Sequence, residues 1–280
     1  MAQNMKGKVV ALAASRKTAE MGTLVEKMGG TPLYRPSQGT VFLDDDMLRE
    51  GIQSWIENPP QWVILTTGVG LNAILEMADR MGLTEKFLAA LAQSSIAARG
   101  YKTVNALRKH NLTPVVRDDD GSTAGLIRSF EPYDLKGVRV IVQLHGDPAP
   151  KLMAWLKEQG AVSRQLLPYR HVPPEKEQLE QLVADIVGAK VDAVTFTSAP
   201  QFRFLAEYAR EQGQLSILVE AFAESVVAVA VGTITAQALK EEGIERIVIP
   251  EEERMGSMMV ALGRYFLAQS EVAAATYDQE

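Results

Sequence analysis

The chain has 280 residues, 46% hydrophobic and 23% charged, a composition that excludes wholesale disorder and leaves length for two domains. Its net charge of -6 argues against a nucleic-acid duplex as the main partner, because phosphate binding rests on clustered Lys and Arg. It contains no cysteine, which excludes disulfides, thiolate metal sites, iron-sulfur ligation and a thiol nucleophile.

Along the chain, short β-branched apolar runs alternate with amphipathic helical stretches, the pattern of a parallel sheet covered on both faces. Strands are predicted at 8–14, 31–34, 62–66, 95–98, 114–116, 138–142, 162–167, 193–197, 226–231 and 246–249, with helices between most of them. The opening run at 9–14 is shorter than the roughly 7 to 15 residues of a secretory apolar core, so it reads as a buried strand. No run approaches the roughly 18 residues of a membrane span. A soluble, cytoplasmic protein without a membrane partner is therefore expected. Gly29, Gly160 and Gly243 stand where a helix hands over to a strand, as left-handed C-terminal caps.

The sequence repeats itself. WVILTTGVGLNAILEMA at 62–78 lies on AVTFTSAPQFRFLAEYA at 193–209, so Thr66 falls on Thr197 and Thr67 on Ser198. ARGYKTVNAL at 98–107 lies on AVGTITAQAL at 230–239, which puts Gly100 on Gly232 and Thr103 on Thr235. The stretch opening at Gly121 corresponds loosely to the one opening at Gly256, and KGKVVALAASR at Lys6 echoes KGVRVIVQLHG at Lys136. The last echo is out of tandem order. If each lobe needs five strands, two N-terminal and three C-terminal strands build one lobe and five central strands the other. The fold expected is α/β, with two similar doubly wound lobes, each a five-stranded parallel sheet flanked by helices. The first lobe takes residues 1–36 and 171–270, the second 40–167. The proline-bearing stretches 34–40 and 167–174 serve as extended linkers and a natural hinge, and 271–280 is expected to be a disordered tail.

In an open parallel sheet a ligand sits beyond the carboxyl ends of the strands, where strand order reverses. That rule selects the turns carrying Arg16; Thr66, Thr67 and Gly68; Arg99 and Gly100; Ser122 and Thr123; His145 and Gly146; Thr197, Ser198 and Ala199; and Gly232 through Thr235. Each turn would present free backbone N–H groups at a helix N-terminus, suited to a polyanionic organic ligand held between the lobes. The alternative is that these are ordinary N-caps and turn glycines, with His145 a solvated loop histidine. Tyr169 and Arg170, in LPYRHVPP, lie where the chain crosses back. Tyr169 is either a plug of the hinge or a phenolic proton donor.

Other chemistries fit poorly. Gly68 to Ala73 matches G-x-G-x-x-A, but the next strand ends without the acidic residue that holds a ribose, and the repeat has Ala199, Pro200 and Gln201 there. No phosphate-binding G-x-x-x-x-G-K-[ST] loop and no G-x-S-x-G elbow occurs. His110, His145 and His171 lack metal-ligand spacing, and the triple aspartates at 44–46 and 118–120 read as helix caps, so no metal is expected.

Taken in order, T-[ST]-x-x at Thr66 and Thr197, AVG-x-x-T-x-x-AL at 230–239, the LPYR linker and the out-and-back lobe order resemble the uroporphyrinogen-III synthase family. The resemblance covers the chain to about Leu267. It implies a cofactor-free lyase of heme biosynthesis that closes linear hydroxymethylbilane into uroporphyrinogen III with loss of water and inversion of ring D. It also implies that Tyr169 and Thr235 donate protons or contact the leaving group, and that Ser198 and the Thr66–Thr67 turn bind substrate. Arg16, Arg99 and Arg170 are the carboxylate contacts chosen from the residues themselves. A monomer is expected. A cytosolic small-molecule sensor on the same scaffold is the alternative.

Overall fold

The computed structural model describes residues 4–146 and 149–277. Its strands are β1 (Val9–Leu12), β2 (Thr31–Tyr34), β3 (Gly39–Phe42), β4 (Trp62–Leu65), β5 (Ser95–Ala98), β6 (Val116–Arg117), β7 (Arg139–Gln143), β8 (Val162–Leu166), β9 (Tyr169–Val172), β10 (Ala193–Phe196), β11 (Val227–Ala230) and β12 (Ile247–Val248). The helices are α1 (Thr18–Lys27), α2 (Asp46–Glu57), α3 (Gly68–Arg80), α4 (Thr84–Ala92), α5 (Tyr101–Arg108), α6 (Thr123–Ser129), α7 (Pro150–Glu158), α8 (Lys176–Val187), α9 (Ala199–Glu211), α10 (Leu215–Glu224), α11 (Thr233–Glu241) and α12 (Met255–Tyr277). The chain divides into two compact units, one of Met1–Gly39 with Val172–Glu280, the other of Thr40–His171.

The first unit holds a five-stranded sheet in the order β12-β11-β10-β1-β2, and the second a five-stranded sheet in the order β6-β5-β4-β7-β8. Every pairing in both sheets is parallel. Strand order reverses between β10 and β1 in the first unit and between β4 and β7 in the second. Laid centre on centre, β10 matches β4, β11 matches β5, and β1-α1-β2 matches β7-α7-β8. All four internal echoes thus fall on equivalent elements, and the two units are the same architecture entered at different points.

The strands read as continuous apolar runs because both faces are covered. Along β4, Val63 and Leu65 enter one core with Ile74 and Phe87, while Trp62 and Ile64 enter the other with Leu126, Phe130 and Leu152. Along β10, Val194 and Phe196 pack with Phe202 and Phe222, and Ala193 turns to the core of Met258 and Leu262. This is the twofold alternation of a strand with no solvent face. Helix starts follow the sequence signals: Asp45, Thr67 and Ser122 accept from the amides of Leu48, Gly70 and Gly125 at 2.8, 3.1 and 2.9 Å. Gly29, Gly160 and Gly243 carry φ of 85, 71 and 89°, as their capping role requires.

Two expectations change. The first stretch read as an extended linker runs into β3 and the second contains β9, and the two strands pair as a two-stranded sheet. Val41, Phe42 and Tyr169 supply the β-branched and aromatic side chains that such a ribbon favours. The tail read as disordered begins as helix: α12 continues through 271–277, where Ala273, Ala274 and Ala275 have the highest helix propensity. Residues 278–280 lie outside the described residues.

Within the first unit, Arg35 Nε donates to Asp185 Oδ2 at 2.7 Å, and Asp185 is only 10% exposed. Removing the guanidinium leaves that carboxylate only the ammonium of Lys190, 4.0 Å away. Arg35→Ala is expected to lower stability by about 1 to 3 kcal/mol, read from the urea unfolding midpoint.

Candidate active site

In the second unit the site is built where β4 and β7 end side by side. Thr66 and Thr67 leave β4, and their two amides both donate to Gln143 Oε1 at 3.1 Å. Thr66 Oγ1 donates to the Gln143 carbonyl at 2.7 Å. The other end of the same carboxamide donates to the Leu144 carbonyl and, at 3.4 Å, to Thr67 Oγ1. Gln143 is fully buried, and every polar atom of its side chain is satisfied. Gly70 makes room for it: a Cβ there would overlap Gln143 Nε2.

Thr67 Oγ1 lies 3.1 Å from the Tyr169 hydroxyl. Tyr169 is 3% exposed, with its ring 5.3 Å from that of His171 and 6.2 Å from that of Phe42. Gly146 lets these rings close in, since its φ is 90° and a Cβ would stand 2.6 Å from His171 Cδ2 and 2.8 Å from Tyr169 Cε2. Beside them His145 Nδ1 is buried and, among the described residues, has no hydrogen-bond partner. Its pKa is pushed down from 6.5 to about 3, first by burial and then by the positive charges of Arg99 and His171. His145 is therefore a neutral, half-buried imidazole at the edge of the site, with its Nδ1 out of contact with solvent.

Arg99 Nη1 donates to Thr123 Oγ1 at 2.8 Å, which ties the β5 end to the start of α6. Burial lowers its pKa, while the Tyr169 phenol and the Asp118 carboxylate act the other way. Tyr169, Thr67, Arg99, Thr123, His145 and Gly146 are thus brought together. Arg170 is not, because it follows Tyr169 on a strand and faces solvent instead.

The first unit repeats the arrangement with different residues. The Thr197 amide donates to Gln201 Oε1 at 2.7 Å and Gln201 Nε2 donates to Thr197 Oγ1 at 3.0 Å. Gln201 stands where the second unit has Gly70, and Ala13 where it has Gln143, so one carboxamide serves the same amide from two different chain positions. Ser198 Oγ donates to Gln38 Oε1 at 2.7 Å. Arg16 is exposed beside Lys17, which takes the left-handed conformation at φ 57°. Thr235 is 4% exposed, in the first turn of α11, and its counterpart Thr103 donates back to the Arg99 carbonyl at 2.6 Å.

The expectation of free N–H groups at each helix start needs correction. Asp118 accepts from the amides of Gly100 and Gly121, and Glu253 accepts from the Thr233 amide at 2.7 Å and from the Thr233 hydroxyl. In both units the helix after the second strand of the module is capped by a carboxylate from the loop after the third. The positive end of the dipole attracts an anion, and the chain supplies its own. The turns at Gly100 and Gly232 are therefore already occupied. Gln143, Gln38 and Glu253 escaped the sequence reading because they act across long separations, whereas Gln201 reaches back only four residues to Thr197 and Asp118, read as a cap of the helix after it, also caps α5. Aligning the repeats would have shown Gly70 and Gln143 lying on Gln201 and Ala13.

A family model described as uroporphyrinogen-III synthase HemD matches residues 19–259. The chain belongs to the uroporphyrinogen-III synthase family. A mutant uroporphyrinogen III synthase from Thermus thermophilus, solved by crystallography, is 32% identical, with a TM-score of 0.75 over 94% of this chain and 100% of that one. The Helicobacter pylori uroporphyrinogen-III synthetase, 17% identical with a TM-score of 0.55 over 91% of this chain and 98% of its own, shares the fold. A Bacillus subtilis protein, YjjA, described as uncharacterized, is 47% identical over 266 residues, which is 95% of this chain and 98% of that one. Among the described residues no helix is long and apolar enough to cross a membrane.

The neutral His145 has a measurable consequence within this synthase fold. Its folded pKa lies below its unfolded value, so its contribution to stability is complete above pH 6.5 and is lost as the pH falls toward 3, because the unfolded state takes up the proton first. Between pH 6.5 and 5, before most carboxylates titrate, urea midpoints should fall for the wild type and fall less for His145→Gln.

Proposed function

We propose that the protein is a uroporphyrinogen-III synthase acting on hydroxymethylbilane in the cytoplasm, as a monomer without cofactor. The observation that carries this reading is the buried Tyr169 phenol held by Thr67 at the strand-order reversal of the second unit, in a chain of this family. Tyr169 gives its proton to the hydroxymethyl oxygen of the substrate. The carbon–oxygen bond breaks, and hydroxyl and proton leave together as water. The resulting azafulvenium cation is attacked within the same molecule to give the spiro intermediate. Reopening and closure invert ring D, and the proton finally lost from the pyrrole carbon restores the phenol.

The side chains do little other acid or base work in this scheme. Their main task is to hold the chain so that closure without inversion is suppressed, through orientation and exclusion of water. With the turns at Gly100 and Gly232 filled by Asp118 and Glu253, the substrate's acetate and propionate groups fall to cationic side chains. Arg99 is the half-buried one, with Arg16 and Arg170 the exposed ones. The turns at Thr66–Gly68, Ser122–Thr123, His145–Gly146 and Thr197–Ala199 shape the substrate's surroundings, and Thr235 contacts the leaving group.

The test is to supply the purified protein with enzymatically made hydroxymethylbilane and to resolve the oxidised porphyrin isomers. Type III product is expected. Type I alone, or binding of the substrate without turnover, would sink this reading and favour a sensor.

A further inference from the structure

We infer that Thr67 is a positioning residue that donates its hydroxyl hydrogen to Tyr169 and so directs the phenolic proton to an acceptor other than Thr67. This rests on the synthase reading above for its functional meaning. The bond itself stands on geometry alone.

The Gln143 carboxamide cannot be flipped. Two backbone amides, those of Thr66 and Thr67, point at one of its terminal atoms at 3.1 Å, so that atom is the acceptor oxygen. The other atom is therefore the NH2 group, which donates to the Leu144 carbonyl and toward Thr67 Oγ1 at 3.4 Å. Thr67 Oγ1 also accepts from the Gly70 amide at 3.1 Å as the cap of α3. A hydroxyl oxygen has two lone pairs, and these two donors fill both. What remains at Thr67 is its own hydrogen, and the atom in reach is the Tyr169 oxygen, 3.1 Å away.

The other unit shows the same direction. Strand register pairs Gln143 with Leu166 and Leu12 with Tyr34, so with Gln143 lying on Ala13, Leu166 lies on Arg35 and Tyr169 on Gln38. Thr67 lies on Ser198, and Ser198 Oγ is the donor to Gln38 Oε1 at 2.7 Å. In both units the hydroxyl at the N-cap position gives its hydrogen to the residue three beyond the aligned pair Leu166 and Arg35. At Tyr169 the consequence is chemical. A phenol oxygen that accepts a hydrogen bond is better able to bear the negative charge left when its own proton departs.

The experiment reads the bond directly. The ring-mode doublet of tyrosine in the Raman spectrum, taken as the difference between each protein and its Tyr169→Phe partner, reports whether the Tyr169 oxygen accepts. The acceptor signature is expected in the wild type and in Thr67→Ser, and its loss in Thr67→Val. Turnover should follow, with kcat about tenfold lower in Thr67→Val, KM little changed, and recovery in Thr67→Ser. In a Tyr169→Phe background the Thr67→Val loss should vanish. Thr67→Asp keeps an acceptor to cap α3 but cannot donate when ionised. It should draw the phenolic proton toward itself, replacing the acceptor signature with a donor one, and lower kcat at least as far. An unchanged doublet in Thr67→Val, an equal Thr67→Val loss in the Tyr169→Phe background, or full turnover in Thr67→Asp would overturn the inference. The doublet is recorded without substrate, so a wild type that makes no type III product refutes the synthase reading while the bond is still tested.

Discussion

Tyr169→Phe is expected to lower kcat for type III product about hundredfold, the lower range for removal of a general acid, with KM held within about twofold. The substitution takes one oxygen from a ring that is 3% exposed, and the packing against His171 and Phe42 does not need that oxygen. Binding and fold should survive, which makes the kinetic effect interpretable as loss of an interaction realised in the transition state. Because the linear substrate can also close without inversion, the fraction of type I porphyrin should rise as the directed route slows. The check is a paired measurement of initial rate and isomer ratio at matched substrate concentration. A Tyr169→Phe enzyme with wild-type rate and isomer ratio would remove the phenol from the mechanism and leave it as a packing residue beside Gly146.

The repeat was legible because it is written in local patterns. Apolar runs such as 62–66 and 193–197 mark strands buried on both faces, and the threonines and serines that follow mark helix starts, so centre strands and their turns could be matched without a structure. Thr67, Ser122 and Asp45 as caps follow from the same local chemistry. What the sequence hid is tertiary. The partner of Thr66 is 77 residues away at Gln143, and that of Ser198 is 160 residues away at Gln38. No spacing rule reaches so far. At Gly100 and Gly232 the expectation of a free helix start changed for the same reason: such a start looks empty until the loop that folds over it is known, and Asp118 and Glu253 each arrive from the end of another strand. The opposite faces of Tyr169 and Arg170 were hidden on a simpler point, since a stretch read as a linker carries no alternation and β9 does.

The exchange between Gly70 with Gln143 and Gln201 with Ala13 supplies the largest expected effect on stability. A Cβ at position 70 would overlap Gln143 Nε2, and that carboxamide cannot swing aside without stranding the amides of Thr66 and Thr67 in the interior. Gly70→Ala should therefore cost about 2 to 4 kcal/mol, as expected for a steric clash that also breaks a buried polar network. Gly70→Gln alone should cost at least as much, because it inserts a second carboxamide into filled space. Gly70→Gln combined with Gln143→Ala copies the first unit, where Gln201 reaches back to the Thr197 amide at 2.7 Å over an alanine. The double variant should recover to within about 1 kcal/mol of the wild type, since the volume is conserved and the amide regains its acceptor. Urea unfolding of the two single variants and the double variant gives the coupling directly. A double variant no more stable than the sum of the singles would mean that the two units do not share this device. In the recovered double variant the Thr67 hydroxyl keeps the Gly70 amide's equivalent but loses the donor from Gln143, so its stability should return further than its rate.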